Sequence, residues 1–126
     1  MKTLLVTYTP VNTLLWLDLP VLNLERALAF YSAVLDSSPL HRDLTAGNAT
    51  FQLSPQGSGL TLIRADSVEP SQVTPYLNCH GRLDQALAQV RLHQGKILKE
   101  RHSMEPFGER AVILDSEGNR LALHSA

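Results

Sequence analysis

The sequence predicts an α+β fold made of two paired βαβββ modules, and three observations carry that expectation. Two segments have helical periodicity, the other apolar runs are short and bounded by turn residues, and one strand–helix unit occurs twice. Repeated strand–helix–strand order without strict alternation is the pattern of an α+β chain and not of a doubly wound sheet.

The first strand is read in "TLLWLDLPV". The helix after it is read in "NLERALAFYSAVLD", where Leu24, Ala27, Leu28, Tyr31, Val34 and Leu35 recur at spacings of three and four. Asn23 stands where a helix N-cap belongs, and Arg26 falls outside the apolar stripe. "NATFQLS" and "GLTLIRA" follow as strands, then "TPYLNCH" opens the second unit. Its helix lies in "GRLDQALAQVRLHQGK", with Leu83, Ala86, Leu87 and Val90 on one face and Gly95 placed as a C-cap. "KILKERHS", "RAVILDS" and "NRLALHS" close the chain as strands. Laying "WLDLPVLNLERALAFY" over "YLNCHGRLDQALAQV" with one gap matches Trp16 with Tyr76, Asp18 with Asn78, and "LERALA" with "LDQALA". The modules are expected at about residues 12–66 and 72–126 of one domain. Each half buries little alone, so the halves should pair through their sheets.

At 126 residues with 44% apolar and 18% charged residues, the composition is that of an ordinary globular chain. A net charge of -1 with interspersed signs argues against a nucleic-acid partner. No run approaches a membrane span, so no membrane partner is expected. Lys2 precedes "LLV" as in a signal peptide, but Thr7, Thr9, Pro10 and Asn12 interrupt the run. Cys79 is the single cysteine, which excludes an intramolecular disulfide and CxxC sites. Together these point to the cytoplasm.

"WLDLPVLNLERALAFYSAVLD", "GKILKE" and "FGERAVILDSEGNRLALHS", with the duplicated layout, resemble the vicinal oxygen chelate superfamily over about residues 12–126. That superfamily includes glyoxalase I, extradiol dioxygenases and bleomycin-resistance proteins, and the chain is most similar to its small glyoxalase-related branch. The resemblance implies incomplete barrels with a cup-shaped cleft. It also implies four strand positions that hold a divalent metal in the enzymes, here near Trp16, Leu62, Thr74 and Ala122. None of these is a competent ligand, because a divalent ion needs two or three converging N or O side chains. No metal and no cofactor are therefore expected.

Strand alternation then assigns the cup face: Trp16 with Asp18, Leu62 with Leu60 and Arg64, Tyr76 with Asn78, and Ala122 flanked by Arg120 and His124. Leu15, Leu17, Leu19, Leu77, Cys79, Leu121 and Leu123 should pack against the helices. Trp16 and Tyr76 either stack an aromatic ligand or fill the space of a metal. Asp18 and Asn78 either approach a polar ligand from two sides or are solvated at strand ends. His124 is a candidate base or donor near a fraying end. Cys79 and His80 diverge as strand neighbours, which rules against a Cys–His nucleophile. In "RHSMEPFGERA", Met104 and Phe107 are candidates to close over a ligand, and Glu105, Glu109 and Arg110 either contact it or pair together.

Two functional readings follow. One is a metal-independent binding protein for a small, possibly aromatic ligand, contacted by Trp16, Asp18, Leu62, Arg64, Tyr76, Asn78, Phe107, Ala122 and His124. The other is a lyase, isomerase or dioxygenase-like enzyme using Asp18, His124 or the Glu105/Glu109 loop as acid or base. The resemblance also implies a homodimer, and "TLLVTYT" is a candidate edge strand for association.

Overall fold

A computed structural model describes residues 8–126; the candidate edge strand "TLLVTYT" falls mostly outside them. The first module contains β1 (Trp16–Val21), α1 (Leu24–Val34), β2 (His41–Asp43), β3 (Asn48–Gln52) and β4 (Gly59–Arg64). The second contains β5 (Tyr76–Asn78), α2 (Leu83–Leu92), β6 (Lys96–Ser103), β7 (Glu109–Leu114) and β8 (Arg120–Ser125). Each module has an open four-stranded mixed sheet, ordered β1-β4-β3-β2 and β5-β8-β7-β6. The first and last strands of each module run parallel, β1 with β4 and β5 with β8. Neither sheet closes into a barrel. No helix among the described residues is long and apolar enough to cross a membrane.

The helices form where the stripes predict them. Asn23 Oδ1 accepts from the Arg26 N–H, satisfying one orphan donor at the start of α1. Both helices end in the same way. Asp36 and Gln94 take positive φ, and the next residue donates back to the helix, Ser37 to the Ser32 carbonyl and Gly95 to the Val90 carbonyl. Gly95 is thus not the left-handed residue that the sequence suggests. It is glycine because Phe30, Val90 and the Leu114 carbonyl crowd its Cα. The third strand that the βαβββ order calls for in the first module is β2, whose place the sequence does not mark because His41-Arg42-Asp43 has no apolar residue; it forms by pairing with β3.

Both modules contribute to one hydrophobic cluster. Leu19, Val21, Phe30, Tyr31, Phe51 and Leu62 come from the first, and Leu77, Leu87, Val90, Ile113 and Leu121 from the second. α1 packs on α2. Polar latches join the halves at both ends of α1. At its C-terminal end Arg82 donates to the Val34 carbonyl at 2.8 Å. At its N-terminal end the turn between β7 and β8 docks against the helix. There the buried Glu117 carboxylate accepts from the N–H groups of Leu22 and Asn23 at 2.9 and 2.8 Å and from Nε and Nη2 of the Arg26 guanidinium at 2.7 and 2.8 Å. A carboxylate at a helix N-terminus also meets the positive end of the helix dipole. Burial alone would raise the Glu117 carboxyl, but Arg26, Ser116 and the Asn23 N–H hold it down at about 2. Beside it, buried Asp115 accepts from the Tyr31 hydroxyl and from the Glu117 and Asn119 N–H groups. Burial and the neighbouring Asp115 push the Tyr31 phenol well up.

Candidate functional site

Strand register shows which residues share the face of each sheet turned away from the helices, the face that the cup of the fold would present. Trp16 lies opposite Gly59 and Asp18 opposite Thr61, so Gly59, Thr61 and Ile63 share their face. In the second module Tyr76 lies opposite Ala122 and Asn78 opposite His124. Equivalent backbone bonds confirm the correspondence: Gly59 N–H to the Leu15 carbonyl, and Ala122 N–H to the Pro75 carbonyl. The pseudo-equivalent quartet is therefore Trp16, Gly59, Tyr76 and Ala122.

This register corrects the expectation for β4. Leu60 and Leu62 are both 0% exposed and sit in the core under the helices, one residue out of phase with the predicted face. Arg64, of the same parity, projects past the start of α1 and lines a shallow depression with Leu44 and Gly47, far along the strand from Trp16. The position near Thr74 also moves, to Tyr76; the Thr74 hydroxyl is taken by Arg120.

The two modules solve one packing problem alike. The Trp16 ring lies across Gly59, where any Cβ would run into it, and its Nε1–H donates to the Thr61 hydroxyl at 2.8 Å. In the second module Arg110 on β7 meets the Tyr76 hydroxyl from β5, so that bridge spans the intervening β8. The Arg110 guanidinium carbon sits 5.7 Å from the centre of the Tyr76 ring. Ala122 and Val112 lie on this face yet are 0% and 4% exposed, roofed by the side chains around them. A small residue between Arg120 and His124 is what lets the tyrosine cross. Trp16 and Tyr76 themselves remain 36% and 44% exposed and present their outer surfaces. Gly59→Ala is accordingly expected to displace the indole, shifting Trp16 emission to the red and costing roughly 1 kcal/mol or more by overpacking. An unchanged emission maximum would sink the ring-over-glycine arrangement.

The remaining predicted contacts separate. Asp18 lines a cleft of about 530 Å³ between β1, the 68–75 linker and the start of β8, together with Pro20, Val73, Leu114 and Arg120. Asn78 lines a different cleft of about 300 Å³ with Ser37, Gln52 and Ser54, and its Oδ1 accepts from the His80 N–H. The two do not converge on one ligand. The Phe107 ring stands in solvent at 72% exposure, and it is the Phe107 carbonyl that accepts from His124 Nε2. Glu109 pairs with Arg101, which also reaches Asp84 on α2, so this carboxylate serves the helix side of the sheet. Cys79 is buried and His80 exposed, although both lie beyond the end of β5 and His80 is already in the turn that leads to α2; burial pushes the thiol up.

No protein-family model matches the sequence, and no curated protein does. Solved structures do. A hypothetical protein from S. aureus superposes at TM-score 0.72 with 20% identity, covering 92% of this chain and 95% of that one. A glyoxalase-related enzyme from Fulvimarina pelagi gives 0.72 at 14% identity, over 92% and 89% of the two chains. The fosfomycin resistance protein FosX from Mesorhizobium loti gives 0.71 at 14% identity, over 92% and 93%. This chain has the glyoxalase/bleomycin-resistance fold. At these identities the likeness speaks for architecture alone. The metal that the fold implies must be judged on this chain's own donors. Trp16, Gly59, Tyr76 and Ala122 offer a single phenol, already engaged by a guanidinium, and do not fit a divalent ion. Among the described residues no three His, Cys, Asp or Glu side chains gather into a substitute site.

Proposed function

We propose that this chain is a metal-independent small-molecule binding protein of the glyoxalase/bleomycin-resistance type, taking a partly aromatic ligand on its concave face. The observation that carries the reading is the paired arrangement of Trp16 over Gly59 and Tyr76 across Ala122. Where a metal enzyme needs donors, both halves carry a planar ring with an exposed outer surface, suited to stacking. A cleft that begins one residue along β1 from Trp16 offers Pro20, Val73 and Leu114 for apolar contact, with Asp18 and Arg120 as polar anchors, while Tyr76 lines the second cleft with Gln52 and Asn78. The enzyme reading loses Glu109, which faces α2 through Arg101.

Trp16 is the only tryptophan in the sequence, so its emission reports the site directly. Titration with planar aromatic compounds, screened first by thermal shift, is expected to change Trp16 emission saturably and to raise the unfolding midpoint. Ligand recovered chemically intact supports binding; a transformed product would overturn it in favour of catalysis. Nickel or zinc added to chelator-treated protein is expected to show no tight, stoichiometric uptake. Single-site uptake at one ion per chain would remove the metal-independent part of the proposal.

A further inference from the structure

Charge on the second sheet is sorted by face. By register, the concave side of β6, β7 and β8 carries Lys96, Lys99, His102, Arg110, Arg120 and His124. The strand carboxylates of that sheet point the other way, Glu100 to Arg91 on α2 and Glu109 to Arg101. Among the described residues neither Arg110 nor Arg120 has a carboxylate within ion-pair distance, and residues 1–7 contain none.

The partners that hold Arg110 are neutral. Its Nε–H donates to His102 Nε2 at 2.9 Å, while His102 Nδ1–H donates to the Glu100 carbonyl at 2.9 Å. A guanidinium can only donate and a carbonyl can only accept, so this imidazole is the uncharged Nδ1–H tautomer. Its other partner is the Tyr76 hydroxyl. Arg110 is thus aimed and stacked by groups that leave its charge uncompensated, with N–H donors to spare. At the other end of the face, Arg120 is steadied by Thr74 and borders the larger cleft.

We infer that the concave face of the second sheet is an anion-binding surface, on which Arg110 takes the carboxylate or phosphonate of a small ligand whose ring stacks on Tyr76. This rests on the reading of the concave face as a small-molecule site and names the ligand's charge. Calorimetric titration of the full chain with benzoate, phenylphosphonate, benzyl alcohol and benzylammonium separates the two. The anions are expected to bind at least tenfold tighter than the alcohol, less tightly as salt is raised, and benzylammonium weakest. Arg110→Gln is expected to abolish the preference and Arg110→Lys to retain part of it. If Arg110→Gln does not fold, the test is carried by salt: the preference of the wild type for benzoate over benzyl alcohol is expected to shrink at least threefold as salt is raised, and a preference that salt leaves unchanged overturns the charge inference. Equal affinity for benzoate and benzyl alcohol overturns the charge inference and leaves the binding reading standing. Failure of every probe overturns both, and tighter binding of a single-stranded oligonucleotide than of benzoate overturns the small-ligand class.

Discussion

Glu117→Ala is expected to destabilise the protein by roughly 3 kcal/mol, because it leaves one side of a buried ion pair and two helix N–H groups without their acceptor. Arg26 keeps about a third of its side chain in solvent and can rehydrate, which places the loss at the lower end for such pairs. Glu117→Gln keeps an acceptor for Leu22 and Asn23 and should lose about half as much. The same carboxylate sets an acid limit. Its folded value of about 2 lies below the ordinary 4.5, so its contribution is complete above about pH 4.5 and is lost as pH falls toward 2. That linkage is worth roughly 3 kcal/mol. Denaturant unfolding at pH 6, 4 and 3 should show the wild type losing stability steeply while Glu117→Ala loses little more than its initial deficit. Parallel slopes for the two proteins would remove Glu117 from the latch.

Gly95→Ala is expected to cost roughly 2–3 kcal/mol by overpacking. A methyl there would lie 2.6 Å from Phe30 Cε2, 2.8 Å from Val90 Cγ1 and 2.9 Å from the Leu114 carbonyl. Phe30 and Val90 are fully buried and have nowhere to move. The loss should appear as a lower denaturant midpoint at unchanged slope. Gly81→Ala supplies the contrast, since Gly81 has φ +77 with open space around it. Its cost is conformational only, about 1 kcal/mol. A loss at Gly95 no larger than that at Gly81 would remove crowding as the reason for the glycine.

The helices were legible because their signal is periodic and local. Leu83, Ala86, Leu87 and Val90 are the buried residues of α2. Phe30 on α1 falls outside that signal, because it lies beside the stripe and is buried by the second module at Gly95. The face of β4 is not legible, because "GLTLIR" is apolar on both sides, Leu60 and Leu62 on one and Ile63 on the other, so alternation alone has no preferred phase. Only the strand register, Trp16 opposite Gly59 and Tyr76 opposite Ala122, supplies the phase. The polar latch was not legible, because a charged turn ordinarily faces water, and nothing local ties Glu117 to an arginine 91 residues away. Arg26, outside the stripe in the first turn of its helix, was the only hint.

The latch also imposes an order on biosynthesis. Asn23 and the acceptor that completes the start of its helix are 94 residues apart, so the first half emerges from the ribosome well before its helix terminus can be satisfied. Such long-range closure comes late and slowly. The nascent first half must wait, its buried helix face uncovered, for the second half to arrive, which makes this interval the one in which a chaperone or a neighbouring nascent chain has access to it.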